Sequence, residues 1–160
     1  MSIAIRKAVE TDLETLLSFE KGIIEAERPL DTTLQEGEIH YYDLRELIRS
    51  HRAEVLVAVV DHEIVGSGYA KIVPALPYQK FTEYAYLGFM YVTPAFRGQG
   101  INQLILQGLI DWAKSQHLTE VRLEVYEENT IAKNAYAKAG FRPNLVEMRL
   151  EIAPPHSTTG

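Results

Sequence analysis

The run Met90-Tyr91-Val92-Thr93-Pro94-Ala95-Phe96-Arg97-Gly98-Gln99-Gly100-Ile101-Asn102-Gln103 constrains the fold more than any other stretch. It predicts a strand end, a short glycine-bearing turn and a helix start. Thr93-Pro94 closes the strand, because proline has no N–H to give to a ladder. Gly98 and Gly100 permit backbone angles and close approaches that a Cβ resists. From Ile101 the apolar residues Leu104, Ile105, Leu109 and Trp112 recur on one helical face. Such a turn aims unpaired N–H groups and a positive helix end at one point, which suits an anion such as a pyrophosphate. An ordinary strand–helix turn carries the same spacing, and spacing alone divides the two readings evenly.

The rest of the chain supplies the elements around this turn. Ile3 to Arg6 predicts a first strand. Thr11 or Asp12 caps a helix with Leu13, Leu16, Leu17, Glu20 and Ile24 on one stripe, and Arg28-Pro29-Leu30-Asp31 breaks it. A second helix is expected from about Ile39 to Arg49. Val55 to Val60 reads as a buried strand, Asp61-His62-Glu63 as a turn, and Ile64 to Val73 as the other arm of a hairpin. Gly66 and Gly68 within that arm imply a bend or a close neighbour. Pro74 to Thr82 is a loop, Tyr84 to Val92 a central strand, and about Gly100 to Gln116 a helix. Val121, Leu123 and Val125 alternate with Arg122, Glu124 and Tyr126, the period of a strand. Asn129 or Thr130 opens a helix carrying Ala132, Ala135, Tyr136 and Ala139, and Gly140 ends it. Phe141 and then Leu145 to Ile152 supply a closing strand.

Strands and helices in this order predict an α/β domain with a mixed sheet, spanning residues 1–152, with 153–160 as a flexible tail. The strand–helix–strand from Tyr84 to Tyr126 is expected to be a parallel crossover. The glycine turn then lies beyond the carboxyl end of a strand, where such sheets bind ligands.

Composition narrows the function. With 160 residues, 46% apolar and 24% charged, the chain can bury a real core. A net charge of −6 argues against nucleic acid as a partner, since phosphates need a basic footprint. The absence of cysteine excludes disulfides, thiolate-bound metal and a cysteine nucleophile. The five histidines show no metal-ligand spacing, so no metal is expected. No apolar run is long enough to span a bilayer and no signal-peptide pattern is present, so no membrane partner is expected and the cytoplasm is the default compartment. Between Glu20 and Glu46 stand eight carboxylates, which read as a solvated face or as an acidic rim for a cationic ligand.

Two blocks resemble the GNAT superfamily, the acetyl-coenzyme A-dependent N-acetyltransferases. The first is Val92 to Asn102, which fits the pattern Arg or Gln, two residues, Gly, one residue, then Gly or Ala. The second is Asn129, Ala132, Tyr136, Gly140 and Phe141 at the superfamily's spacing. The order of elements agrees as well, so the resemblance covers nearly the whole chain. It implies a single-domain GNAT-like fold, with a mixed central sheet of about six to seven strands flanked by about four helices. One position departs from the pattern: the last loop residue is Asn102, whose side chain takes space there.

The resemblance implies acetyl-coenzyme A as co-substrate and a primary amine of a small molecule or peptide as acceptor. Acetyl would pass by direct attack in a ternary complex. The backbone of Met90, Tyr91 and Val92 would pair with the pantetheine arm, and the Val92 N–H would face the oxyanion. The amides of Arg97, Gly98, Gln99, Gly100, Ile101, Asn102 and Gln103 would cradle the pyrophosphate. Asn129 would bond the pantetheine, and Tyr136 would protonate the departing thiolate. The amine must lose a proton to react. Many members of the superfamily carry a glutamate six residues before Val92, where this chain has Tyr86, a poor base. Glu124, Glu83 or a water chain remain as acceptors of that proton. The missing glutamate motivates a second reading, a non-catalytic acyl-coenzyme A sensor. Homodimers are common in the superfamily, and one is compatible with this chain.

Overall fold

A hairpin of two apolar strands forms the middle of the sheet in the computed structural model, which describes residues 2–153. Strand β2 (Ala53–Val60) pairs antiparallel with β3 (Glu63–Pro74). Asp61 and His62 make the turn with φ of 49° and 67°, the left-handed pair that matches the twist of a two-residue hairpin. Strand β1 (Ala4–Lys7) adds antiparallel to β2, and β4 (Glu83–Val92) antiparallel to β3. Strand β5 (Val121–Arg122) lies parallel to β4, giving the order β1-β2-β3-β4-β5. The parallel β4–β5 pair is the crossover expected of the glycine turn.

Among the described residues, four α-helices cover the sheet: α1 (Leu13–Glu27), α2 (Leu44–Arg49), α3 (Ile101–Ser115) and α4 (Thr130–Lys138). Helix α3 packs Ile101, Ile105 and Leu109 on Leu56, Val65 and Leu87. Its approach is so close that a Cβ on Gly68 would stand 2.7 Å from Ile105 Cγ2, which accounts for that glycine. On the opposite face, Leu16 and Phe19 of α1 and Leu44 of α2 meet Val55, Val57, Tyr69 and Phe89. Each fully buried aliphatic side chain contributes about 1.5–3 kcal/mol. The domain is thus a sheet between two apolar layers. Among the described residues, no helix is long and apolar enough to cross a membrane.

Several expectations are corrected. The sheet has five strands among the described residues, fewer than the six to seven expected. The shortfall is at the C-terminal edge: β5 ends at Arg122, and Leu145 to Ile152 joins no ladder. Helix α2 starts at Leu44 rather than Ile39, because Asp43 caps it by accepting from the Glu46 N–H at 3.1 Å. In α1 the buried stripe is Leu16, Phe19, Glu20, Ile23 and Ile24, while Leu17 is exposed. The Asp12 carboxylate turns back to Arg6 and the Val9 N–H instead of capping α1 forward. The expected tail at 154–160 lies outside the described residues.

Candidate active site

The site is built on an irregularity in β4. Phe89 has φ of 59°, the left-handed region, although it is a bulky residue inside a strand. Such a conformation costs about 1–3 kcal/mol and persists only where surroundings enforce it. Here Phe89 is buried, and its carbonyl accepts from the Ser67 hydroxyl at 3.0 Å. The register with β3 slips by one residue at this point, from Tyr69↔Gly88 to Ser67↔Tyr91. On its other side β4 pairs with β5 only at Ala85 and Tyr86. From Leu87 to Val92, therefore, that edge of β4 has no strand beside it among the described residues.

This open edge runs into the glycine turn. Pro94–Phe96 forms one 3-10 turn, and Arg97 is extended. Gly98 and Gly100 have φ of 78° and 81°, with no atom within 4 Å of where a Cβ would stand. Conformation alone demands glycine here, and the space beyond is open. Among the described residues, the first amide of α3 to find a carbonyl is that of Leu104, on Gly100 O at 3.2 Å. The amides from Gly98 to Gln103, at the positive end of a helix, find no acceptor among the described residues. Open space, free amides and a helix N-terminus together have the chemistry that suits an anion.

The side chains of the turn have further tasks. Arg97 Nε donates to Val92 O at 2.9 Å, and its guanidinium lies over the Tyr91 ring. It braces the end of β4. Gln103 Nε2 donates to Ala135 O at 2.9 Å, tying α3 to α4. Asn102 is half-buried in the first turn of α3. Met90, Tyr91 and Val92 are half-buried along the open edge.

Helix α4 starts where the spacing predicts. Asn129 Oδ1 accepts from the Ala132 N–H at 3.2 Å, so its oxygen is the helix cap and its amide N–H groups remain to donate. Gly140, with φ of 106°, ends the helix, and the Phe141 N–H returns to Tyr136 O at 3.0 Å. Tyr136 packs edge-on to Phe141 with centroids 6.1 Å apart. Burial, and then the charge of Glu27, push its hydroxyl up to about 12. It is a phenol, able to donate a proton, throughout the neutral range.

Glu124 and Glu83 part company. The Tyr86 hydroxyl donates to Glu124 Oε1 at 2.7 Å. Burial first, then this carboxylate, hold the Tyr86 hydroxyl far above the usual phenol range. The pair belongs to a cleft of about 600 Å³ walled by Tyr41, Tyr42, Tyr69 and Tyr84, with Asp43 and Glu46 on its rim. Lys71 is its cation, 5.8 Å from the ring centres of Tyr69 and Tyr86. Glu83 instead opens β4, ion-paired with Arg52, at the end of the strand remote from the glycine turn.

Two groups escaped the sequence reading. Glu20, in the middle of the α1 stripe, is 1% exposed. Its carboxylate accepts from the backbone N–H groups of Tyr41 and Tyr42, both at 2.9 Å, and lies 2.7 Å from His40 Nδ1. It fixes the tyrosine wall of the cleft and keeps residues 39–43 out of α2. A charged residue on an apolar stripe was the available signal. Glu27 is the second: burial holds its carboxyl above the usual range, against the opposing pull of the Tyr41 hydroxyl that it faces. Burial, then the Glu27 carboxylate, raise that hydroxyl in turn.

Comparison with known proteins agrees with this geometry. The model of the acetyltransferase (GNAT) family matches residues 20–141. The chain is 27% identical over 106 residues to an aminoglycoside N(6')-acetyltransferase type 1 of Acinetobacter haemolyticus, covering 64% of this chain and 72% of that one. It is 32% identical over 65 residues to N-alpha-acetyltransferase 30 of Saccharomyces cerevisiae, covering 41% of this chain. The chain spans only 37% of the length of that yeast relative. Among solved structures, a mutant of the BH1408 protein of Bacillus halodurans superposes with a TM-score of 0.84 at 24% identity, over 93% of this chain and 99% of that one. A predicted acetyltransferase of Clostridium acetobutylicum, solved with acetyl-CoA, gives 0.70 at 22% identity, over 94% and 96%. These two likenesses establish the fold.

Proposed function

The chain belongs to the acetyltransferase (GNAT) family, and from that premise we propose that it moves acetyl from acetyl-CoA to a primary amine of a small molecule or peptide, by direct attack in a ternary complex. The observation that carries this reading is the continuous path from the bare edge at Leu87–Val92 to the acceptor-less amides of Gly98–Gln103. Met90 to Val92 would hold the pantetheine arm, the turn its diphosphate, and Asn129 the arm's far side. Acetyl-CoA supplies an activated thioester carbonyl. The Clostridium acetobutylicum structure with acetyl-CoA supports the choice of co-substrate.

The chain's own residues then divide the proton work. An amine entering the tyrosine-walled cleft arrives protonated at neutral pH. Glu124 accepts its proton, with Tyr86 holding the carboxylate in place. Glu83, at the remote end of β4, takes no part in this reading. Tyr136 donates a proton to the departing thiolate, a step for which a phenol suffices. The Val92 N–H stabilises the developing oxyanion. Arg97 and Gln103 hold the strand end and the two helices rigid, so that these groups stay aligned.

The names of the two relatives point to amino sugars and peptide N-termini as acceptors to try first. The carboxylates around the cleft suit a cation, and the net charge of −6 disfavours nucleic acid. We place the reaction in the cytoplasm and the catalytic domain at residues 1–152. The test is thiol release from acetyl-CoA with a panel of aminoglycosides, polyamines and short peptides. Turnover on one class supports the reading. Tight coenzyme A binding without release on any amine would replace it with the sensor reading.

A further inference from the structure

The tyrosine-walled cleft contains a lysine without a counter-ion among the described residues. Lys71 lies on β3, two residues from Tyr69 on the same face and directly across the ladder from Tyr86. It is half-buried, as is Lys133, whereas the chain's other lysines are exposed. Lys133 pairs with Glu127 at 3.0 Å. Lys71 makes no ion pair and donates no hydrogen bond among the described residues; its ammonium stands 5.8 Å from the ring centres of Tyr69 and Tyr86. Aromatic faces at that distance offset part of the desolvation of an ammonium, and an anion would offset more.

The carboxylates of the cleft have other places. Asp43 Oδ1 accepts from the Glu46 N–H at 3.1 Å as the cap of α2, and Glu124 accepts from the Tyr86 hydroxyl at 2.7 Å. Glu46 stands on the rim. Lys71 and Glu124 nevertheless share one ring, since Tyr86 has the carboxylate at its hydroxyl and the ammonium 5.8 Å from its centre. A group that takes a proton from an amine and a group that holds an anion are thus within reach of one small molecule. Lys71 stands in a strand paired on both sides, at Ala53 of β2 and Tyr86 of β4, so its root is fixed.

We propose that the acceptor is a primary amine that also carries a carboxylate, with its amine at Glu124 and its carboxylate on Lys71. This rests on the acetyl-transfer reading of the site and names its acceptor class. A single ammonium matches a monoanion. A phosphate dianion would leave charge unbalanced beside Asp43 and Glu46, and a diamine would set its second ammonium against Lys71. Specificity comes as much from that repulsion as from the attraction. The N–C bond forms as the C–S bond breaks. Of the two protons the ammonium loses, one leaves through Glu124 and the other replaces the one Tyr136 gives to the thiolate. The products are coenzyme A and the N-acetylated acid.

The test compares kcat/KM for phenylalanine, 3-aminopropanoate and 6-aminohexanoate, each against its own amide. The set is completed by 1,3-diaminopropane and 2-aminoethyl phosphate. Acid and amide differ in charge and little in shape, so their ratio reads the anion site. At least one acid is expected to exceed its amide about tenfold, the worth of one charge-assisted contact. Lys71→Met should abolish that preference, Lys71→Arg should keep it, and Lys71→Glu should turn it towards the diamine. A lysine that only balanced the cleft's carboxylates would move acid and amide together. Amides equal to their acids throughout, a preference that survives Lys71→Met, or the diamine or the phosphate ahead of every acid would each overturn the proposal. Calorimetry of the coenzyme A-loaded chain with the same acids and amides separates this inference from the reaction. If no amine is acetylated, the transfer reading falls. The anion site is then decided by affinity alone: acid over amide, lost in Lys71→Met, sustains it, and equal affinities end it.

Discussion

The Tyr86 hydroxyl donates to the Glu124 carboxylate at 2.7 Å, across the two strands that part just beyond it. The superfamily's usual glutamate position is thus filled by a residue that holds another carboxylate. In the reaction proposed above, proton acceptance moves one strand along, with the tyrosine as its support. On this reading Glu124→Gln should lower kcat about a hundredfold and leave coenzyme A affinity unchanged. Tyr86→Phe should cost about tenfold by freeing the carboxylate. Steady-state kinetics with a responsive amine decide; equal activity in all three proteins would remove Glu124 from the mechanism.

Tyr136→Phe tests the other proton. It should reduce kcat about a hundredfold with little change in coenzyme A affinity. A matching loss of affinity and rate, measured by calorimetry and kinetics together, would make Tyr136 a packing residue.

One buried and two half-buried tyrosines also set an alkaline limit on stability. Tyr69, Tyr126 and Tyr136 are all pushed up to about 12, first of all by burial, from an ordinary value of 10.0. A folded-state value above the unfolded one means the folded protein prefers the protonated phenol. Their contribution is therefore complete below pH 10 and lost as pH rises from 10 towards 12. Urea midpoints should be flat from pH 8 to 10 and fall steeply above; a flat line to pH 12 would contradict the burial.

Glu20 offers a third kind of test, because it links packing to the cleft. Glu20→Ala leaves the Tyr41 and Tyr42 amides without their acceptor and should destabilise the protein by about 2–4 kcal/mol. Glu20→Gln keeps one acceptor oxygen and should cost less. In both, KM for the amine should rise more than KM for acetyl-CoA, since only the tyrosine wall is loosened. A uniform change in both constants would reduce Glu20 to a core residue.

The turn glycines make the last prediction. At Gly100 a side chain meets open space, so Gly100→Val should fold, at the cost of about 1–3 kcal/mol for a left-handed valine. Coenzyme A binding should fall at least about tenfold, because the branched side chain occupies the cradle. Calorimetry showing unchanged affinity would dissociate the turn from the diphosphate.

What could be read in the sequence is what local chemistry decides. The α3 start, the Asn129 cap and the Gly140 stop depend on residues within four positions of one another, and all three are found as read. The misses are settled by distant partners. Residues 39–43 carry a helical pattern, but Glu20 on another element takes two of their amides. Phe89 has no local reason to be left-handed; the Ser67 hydroxyl and the core hold it so. Leu145–Ile152 has the pattern of a strand, but a ladder needs a neighbour, and none of the described residues provides it. The conformation of the turn and the place of Tyr136 within α4 are therefore legible, while the Tyr86–Glu124 bond and the Glu20 anchor need the third dimension.

The one-residue slip at Phe89 has a consequence for how this chain tolerates change. Gly88 and Phe89 address the same layer, so Tyr91 ends up against Phe19 of α1 and Met90 against α3. Remove Phe89 and plain alternation would still carry Met90 to α3 and Tyr91 to Phe19. What the extra residue supplies is its own buried ring and the break in the ladder with β3. A single-codon deletion there would therefore cost core volume and straighten the strand, while the facing of every later side chain survived.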